Sequence, residues 1–431
     1  MSTLVHPTLG DASVAPAVAR RDRPATEGAI LVLVVLALMA VGMLMVYSAS
    51  RKAYAEGDTM YFVKHLIFVP TALVAMYLGS RVRYEKLNCE WVAWSVLLSA
   101  VVLLAGVLIL GEEHGGAKRW YRLPLGSFSL SFQPSEYAKL AMVVFLAWFF
   151  SRPDAKPRSF LRSFLPSMMV TGVVGILIVK EDFGTAALVG AVAVGLCMVA
   201  GWRLWYPLIL IVPGLIGFYK YVWLVEFRRT RIEVWLDPWK YFNGSGWHVC
   251  QSLMGIGCGG LTGVGLGAGI QKLYIPEVTT DFIFAAICEE MGLLGGLLVI
   301  GLFGTLIWRV GRIIRSAPDR FAFLLASGIL MTIGLQAAMN IGVVTGALPA
   351  KGISLPFISY GGSGLVMMSF AVGLLVSVSR RSCTTKGSNP FSQRREKASD
   401  PNEAPPKQPQ PLVYRPTPIR AAVVRPYEPR S

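Results

Sequence analysis

Charge is scarce in this chain. Only 15% of its 431 residues are Asp, Glu, Lys or Arg, where a soluble globular domain carries about 25%. Acids are the scarcer sign, 25 against 41 Lys and Arg, which leaves a formal net charge of +16. With 54% hydrophobic residues and a mean hydropathy of +0.54, the chain lacks the polar surface that a soluble fold of this length requires. Histidine and cysteine are few as well, four and six. The cysteines show no metal-ligand spacing, and His65 and His248 stand isolated, so neither suggests a metal. Cys250 and Cys258 share one Gly-rich stretch, where a disulfide or two buried thiols both fit. No GK[ST] ending follows the glycine run Gly255–Gly269, which excludes a nucleotide P-loop. The run reads either as backbone that approaches a phosphate or as a turn-rich loop packed over helix ends.

Long apolar runs are what the chain has in excess. Ten are long enough to cross a bilayer as helices, over 28–48, 61–79, 91–110, 134–150, 162–180, 184–201, 204–225, 282–307, 321–343 and 360–379. The expected fold class is therefore all-α, a polytopic integral membrane protein. Its long extracytoplasmic loop, 226–281, joins the seventh and eighth spans, and 111–133 is a second long connection on the same side. Lys180, Glu181 and Asp182 interrupt the apolar stretch between the fifth and sixth spans. The first run has no small-residue cleavage site after it and reads as a span, not a cleavable signal.

Lys and Arg concentrate in alternate short loops: Arg20, Arg21 and Arg23; Arg81, Arg83 and Lys86; Arg152, Lys156, Arg158 and Arg162; Arg309, Arg312, Arg315 and Arg320. The positive-inside rule makes these loops and both termini cytoplasmic. The same spread over many loops accounts for most of the net charge and argues against a nucleic-acid surface. Residues 1–27 are polar and 381–431 are rich in Pro and Arg, so both are expected to be disordered cytoplasmic ends around a membrane domain at 28–380. Trp91, Trp94, Trp202, Trp205 and Trp223 fall near span ends, as an interfacial belt does.

Against this apolar background, Glu136, Lys139, Asp182, Asp281, Glu289 and Glu290 lie inside or at the edges of apolar segments. Ionisable groups at that depth are costly and mark candidate functional sites. Asp281 stands where the polar loop of YIPEVTTDFIFAAICEEMG turns into an apolar helix. It fits a helix N-cap stabilised by the dipole and equally a reactive carboxylate. Glu136 and Lys139 are three residues apart and can pair on one helix face, either as a staple between helices or as part of a cavity lining with Asp182. Arg119 beside Trp120 fits an interfacial anchor or an anion contact, and Lys272 and Lys351 are further cations of the second kind. Glu277 could share a divalent cation, Mg or Mn, with Asp281, although nothing in the sequence requires one.

The segments HGGAKRWYRLPLGSFSLSFQPSEYAKLAM (114–142), EDFGTA (181–186), RIEVWLDPW (231–239), the Gly255–Lys272 run, PEVTTDFIFAAICEEMG (276–292) and LPAKGISLPFISYGGSG (348–364) resemble the SEDS family of FtsW, RodA and their sporulation relatives. They occur in the family's order and cover roughly 28–380; KGISLPFISYGG and PEVTTDFIFA are more similar to the FtsW branch. The resemblance implies a ten-helix peptidoglycan glycosyltransferase of the bacterial inner membrane. Its substrate would be lipid II, the undecaprenyl-pyrophosphate-linked disaccharide pentapeptide, joined into glycan strands at the division septum. Its partners would be a class B penicillin-binding protein and other divisome proteins. Asp281 would be the general base of an inverting displacement, with Glu136, Lys139, Asp182, Arg119, Glu277, Lys272, Lys351 and Ser363 on the substrate. Three positions depart from the family pattern: Thr279 replaces its usual histidine, Glu181 its proline and Gly364 its second serine. Two rival functions share the polar membrane cavity. A lipid II flippase would show inverted helix repeats, and none is visible. A non-catalytic divisome scaffold would not need Asp281.

Overall fold

The computed structural model describes residues 23–50, 60–114, 117–125 and 128–386. The chain divides into two units, Met1–Thr385 and Lys386–Ser431, and the first holds the helical bundle. Most of the two ends expected to be disordered lies outside the described residues; helix starts at Arg23 and runs on to Lys386.

Three apolar helices open the fold: α1 (Arg23–Ala49), α2 (Met60–Arg81) and α3 (Glu90–Leu110). α3 has no charge after its first residue, and its 21 residues make a rod of about 32 Å, the thickness of a bilayer core. The connection 111–133 is a small antiparallel sheet of order β1-β2-β3, with β1 at Glu112–His114, β2 at Ala117–Leu125 and β3 at Phe128–Phe132. α4 (Pro134–Ser151) follows, with Pro134 in its first turn, where the missing N–H costs nothing. A π-helical segment, Phe160–Phe164, leads into α5 (Leu165–Val179), and α6 (Phe183–Val199) returns. Next come α7 (Tyr206–Ile209), α8 (Ile211–Phe218) and a π-helical segment, Tyr219–Trp223. α9 (Glu226–Leu236) and α10 (Trp247–Gly259) precede the long helices α11 (Ile283–Arg315), α12 (Arg320–Val344) and α13 (Gly362–Lys386).

Every expected span falls on helix, but not all of these helices are alike. Among the described residues, eight helical segments are long and apolar enough to cross a membrane. The spans expected at 134–150 and 184–201 are α4, which carries Glu136 and Lys139, and the 17-residue α6. The span at 204–225 is fragmented. Pro213 lacks the N–H that would continue the ladder, and the helix is interrupted at Leu210, between α7 and α8. The loop 226–281 holds two helices of its own, α9 and α10. The core lies where α4, α6, α12 and α13 bury their side chains, among them Phe145, Phe150, Leu196, Leu325 and Leu374.

α11 is broken at Gly292, whose φ of +65° and ψ of −165° no helix contains. The glycine run supplies what the break removes. Val264 and Gly265 donate their N–H to the carbonyls of Glu289 and Glu290 at 3.0 and 3.1 Å, and Leu293 donates to Gly260 O at 2.9 Å. In a membrane such freed groups must find protein partners. A Cβ on Gly292 would lie 2.3 Å from Gly263 N, so the two backbones meet without room for a side chain. The run is thus a loop packed over a helix break.

At the end of the bundle rich in Arg and Lys, the connections are tied to one another. Tyr84 donates to Asp319 at 2.8 Å, Arg320 to Ala200 O at 3.0 Å, and Arg309 and Arg312 both grip Glu27. Two expectations need correction. Trp202 is no belt residue, because it is buried against Phe164 and Tyr206. Cys250 and Cys258 are free thiols, as the second reading had it, since eight positions along α10 is about 12 Å, beyond a disulfide's reach; but only Cys250 is buried, and Cys258 is exposed.

Candidate active site

Four connections at one end of the bundle bring the site together: the β2 strand, the turn before α6, the loop ahead of α11 and the loop between α12 and α13. Asp182 opens α6 as its N-cap. Its carboxylate accepts from Thr185 N at 3.0 Å and Thr185 Oγ1 at 2.8 Å, which fixes its direction as well as the helix end. Arg119 of β2 approaches it, Nη1 to Oδ2 at 3.9 Å, while the Arg119 Nε is buried without a partner. Glu181, the departure from the family's proline, accepts from Lys118 N at 2.8 Å and so ties β2 to this turn.

Asp281 lies one turn beyond Glu277, which adopts a φ of +56°. Asp281 N donates to Glu277 O at 3.1 Å, and Thr280 Oγ1 donates to the Glu277 carboxylate at 3.1 Å. The N-cap of α11 is Phe282, and it carries no side-chain cap bond. The capping reading of Asp281 therefore finds no support in its geometry. Among the described residues nothing donates to its carboxylate. Burial pushes its pKa up to about 7, with Glu277 and Asp182 adding to the rise and Arg119 and Arg231 opposing it. A carboxyl that titrates near neutrality is what general-base chemistry requires.

Asn340 of α12 braces this carboxyl's backbone. Its Nδ2 donates to Asp281 O at 2.8 Å and Ile353 O at 2.7 Å. One turn earlier, Gln336 accepts from Lys139 Nζ at 2.6 Å and donates to Ser354 O at 3.0 Å. The pair at i and i+4 thus holds the 351–358 loop against the bundle. That loop approaches closely: a Cβ on Gly352 would meet Asp281 Oδ2 at 2.9 Å. Beside it, the Lys351 ammonium lies 4.8 Å from the Phe183 ring centre, and burial lowers its pKa. Arg231 of α9 reaches Ala350 O at 3.5 Å, and burial and Arg119 press its pKa down while Asp182 and Asp281 hold it up. The result is three cations, Arg119, Arg231 and Lys351, around the acids Asp182, Asp281 and Glu277.

Other expected site residues lie elsewhere. Glu136 and Lys139 do pair, at 2.8 Å and almost fully buried, with Glu136 Oε2 unpartnered. They sit behind the loop, and among the described residues Gln336 links them to it. Gly364 faces this free oxygen, at 3.4 Å from a built Cβ. Ser363 accepts from Gln133 N at 3.2 Å, joining α13 to the start of α4. Lys272 is not with Asp281. Its ammonium is buried on Glu290 and Ser48, and Glu289 beside it accepts the N–H groups of Ile270, Gln271 and Lys272. Among the described residues no three His, Cys, Asp or Glu are grouped to hold a metal. The sequence reading missed Arg231, Asn340 and the nearness of His248, which stacks on Phe282 at 6.1 Å. Arg231 opens the RIEVWLDPW segment, so the motif flagged its neighbourhood. Nothing in sequence distinguished Asn340 from a solvated helix polar group.

The chain is similar to known proteins along most of its length. Residues 29–384 match the family of FtsW, RodA and SpoVE, described as "Cell cycle protein". The chain is 42% identical over 366 residues to stage V sporulation protein E of Bacillus subtilis (strain 168), covering 82% of this chain and 97% of the relative. It is 39% identical over 361 residues to a probable peptidoglycan glycosyltransferase FtsW of Geobacter metallireducens, covering 82% and 94%. Among solved structures, a chain of a peptidoglycan synthase complex that coordinates polymerization and crosslinking superposes with a TM-score of 0.68 at 27% identity, covering 82% of this chain and 97% of that one. The rod shape determining protein RodA of Thermus thermophilus gives 0.61 at 26% identity, covering 82% and 96%.

Proposed function

The chain belongs to the SEDS family of FtsW, RodA and SpoVE, and on that premise we propose that it is a peptidoglycan glycosyltransferase that polymerises lipid II into β-1,4 glycan strands for the division septum. The observation that carries this reading is Asp281: a carboxyl with no donor bound to it among the described residues, titrating near neutrality, at the mouth of a membrane helix beside a ring of cations.

The chemistry follows from what these residues can hold. The acceptor's C4 hydroxyl gives its proton to the Asp281 carboxylate as its oxygen bonds to the donor's anomeric carbon. The bond from that carbon to the pyrophosphate breaks, and the electron pair leaves with the lipid pyrophosphate. Arg119, Arg231 and Lys351 are the cations available to stabilise the growing charge. One displacement turns an α donor into a β product, so a single carboxylate suffices and no covalent intermediate forms. The site faces the outer leaflet in this reading, because the basic loops lie at the other end of the bundle. A class B penicillin-binding protein and other divisome proteins complete the machine.

The test is lipid II polymerisation by the purified protein with its class B partner, wild type against Asp281→Asn. Asparagine keeps the shape but takes no proton. Long glycan strands from wild type and none from the folded variant are expected. Equal product from both would remove Asp281 from the chemistry. Lipid II bound but never polymerised by either would favour a carrier or scaffold.

A further inference from the structure

At the opposite end of α4 from Glu136, the connection 152–159 and the start of α5 enclose a cavity of about 340 Å³ lined by Phe149, Arg152, Asp154, Lys156, Arg162 and Pro166. We propose that this cavity binds the phosphate headgroup of an anionic phospholipid, in the leaflet opposite the Asp281 group, with an acyl chain laid along α5.

Three cations line the cavity against one carboxylate. Asp154 reaches only Arg152, at 4.0 Å with its own side chain 78% exposed, so it neutralises little. Lys156 and Arg162 have no acidic partner among the described residues. Arg152 is held for a ligand: its guanidinium lies over the Trp148 and Phe149 rings at 5.1 and 4.6 Å, and its Nε donates to Phe149 O at 3.2 Å. Its outer N–H groups have no hydrogen-bond partner among the described residues, and a guanidinium fork suits phosphate. The Phe160–Phe164 π-helical segment, capped by Ser159, carries Arg162 back towards Arg152.

Below the cavity the surface turns apolar in one line. Leu161, Leu165, Met169, Val173 and Ile176 are 72, 41, 63, 50 and 69% exposed, and their spacing of four, four, four and three puts them on one helix face. The stripe is about 22 Å long at helical rise, enough for a chain crossing one leaflet of about 15 Å. A soluble phosphate would use the cations alone. The continuity of cavity and stripe selects a lipid, and the positive pocket selects an anionic one.

Delipidated full-length protein would be titrated with phosphatidylglycerol, with phosphatidylcholine and with glycerol 3-phosphate, and the bound species counted by native mass spectrometry. Preferential retention of phosphatidylglycerol is expected. In Arg152→Gln/Lys156→Gln/Arg162→Gln that preference should fall, on the order of 100-fold for three lost charges. All three side chains sit at the surface end of the bundle, and thermal unfolding checks that the variant stays folded. A matched triple at the same end but outside the cavity, Arg83→Gln/Lys86→Gln/Arg315→Gln, should bind as wild type does. Equal loss in both triples would reduce the effect to bulk charge and overturn the site. Unchanged binding in the cavity triple, or glycerol 3-phosphate binding as well as the lipid, would overturn it too.

Discussion

Asp281 combines three properties that oppose one another in water. It is buried enough for its pKa to rise to about 7, it lies near two arginines that would lower it, and two acids push it up again. This balance makes a pH prediction. The carboxylate is the active form, so polymerisation should be slow below pH 7, rise through an apparent pKa near 7 and level off above it. Removing a neighbour should move that limb in a known direction. Glu277→Gln removes a like charge, so the anion is favoured and the limb shifts to lower pH. Arg231→Gln removes an opposing cation and shifts it higher. Both are read from kcat/KM against pH, which reports the groups of the free enzyme. A limb unmoved by either change would mean that another group sets the profile. Asp281→Asn itself should cost about 10²–10⁴ in rate, the range of general-base catalysis. Lys351 is a separate case: its lowered pKa comes from burial, so it offers a weakly solvated cation where a pyrophosphate would leave.

At the scale of elements, the loop between α12 and α13 and the break in α11 carry the site. Gly352 touches the Asp281 carboxyl so closely that Gly352→Ala must displace it, the Cβ landing 2.9 Å from Oδ2. A flexible side chain can yield to a methyl, so the fold should survive. Activity is expected to drop steeply with little change in melting temperature, and a parallel loss of both would show that the loop itself had collapsed. The α11 break depends on Lys272 in another way. Its ammonium is buried on Glu290, so Lys272→Met leaves a carboxylate unpaired in a dry interior and should destabilise by about 3–5 kcal/mol, measured by denaturation in detergent. A loss below about 1 kcal/mol would mean that the buried pair adds little to the fold.

These elements also show what the sequence made legible. The helices were readable because apolar length alone sets them, and 91–110 lies within one residue of α3 at its start. The α11 break was not, since Gly292 sits in a stretch that reads as continuous helix and its φ is set by Gly263 across the loop. The sheet of 111–133 was missed for another reason: β3, FSLSF, alternates as a strand does, but β2 carries Pro124 among its nine residues and β1 has only three, so the segment reads as a connection. The Glu136–Lys139 pair followed from spacing, whereas the Lys272–Glu290 pair is joined across a fold that spacing does not describe. Asp281 was visible as a charge at a helix mouth, but Arg231 and Asn340 became site residues only when α9 and α12 came together around it.

The whole molecule has two chemically different ends. The Asp281 end gathers acids and cations on the loops 111–133, 226–281 and 345–361. The other end carries Arg81, Arg83, Lys86, Arg152, Lys156 and Arg162 beside few acids. A membrane sorts such ends, because Lys and Arg are retained on the cytoplasmic side. The substrate reading depends on this orientation, since a lipid-linked disaccharide polymerised into wall must meet Asp281 outside. It is tested by single-cysteine labelling with a membrane-impermeant maleimide, after Cys89 and Cys258, the exposed thiols among the described residues, and Cys383 are replaced by serine. Glu277→Cys, exposed beside Asp281, should react in intact cells with the outer envelope opened. Arg83→Cys, exposed at the basic end, should react only after the inner membrane is permeabilised. The reverse pattern would place Asp281 in the cytoplasm, where no wall polymer forms, and the glycosyltransferase reading of this site would fall with it.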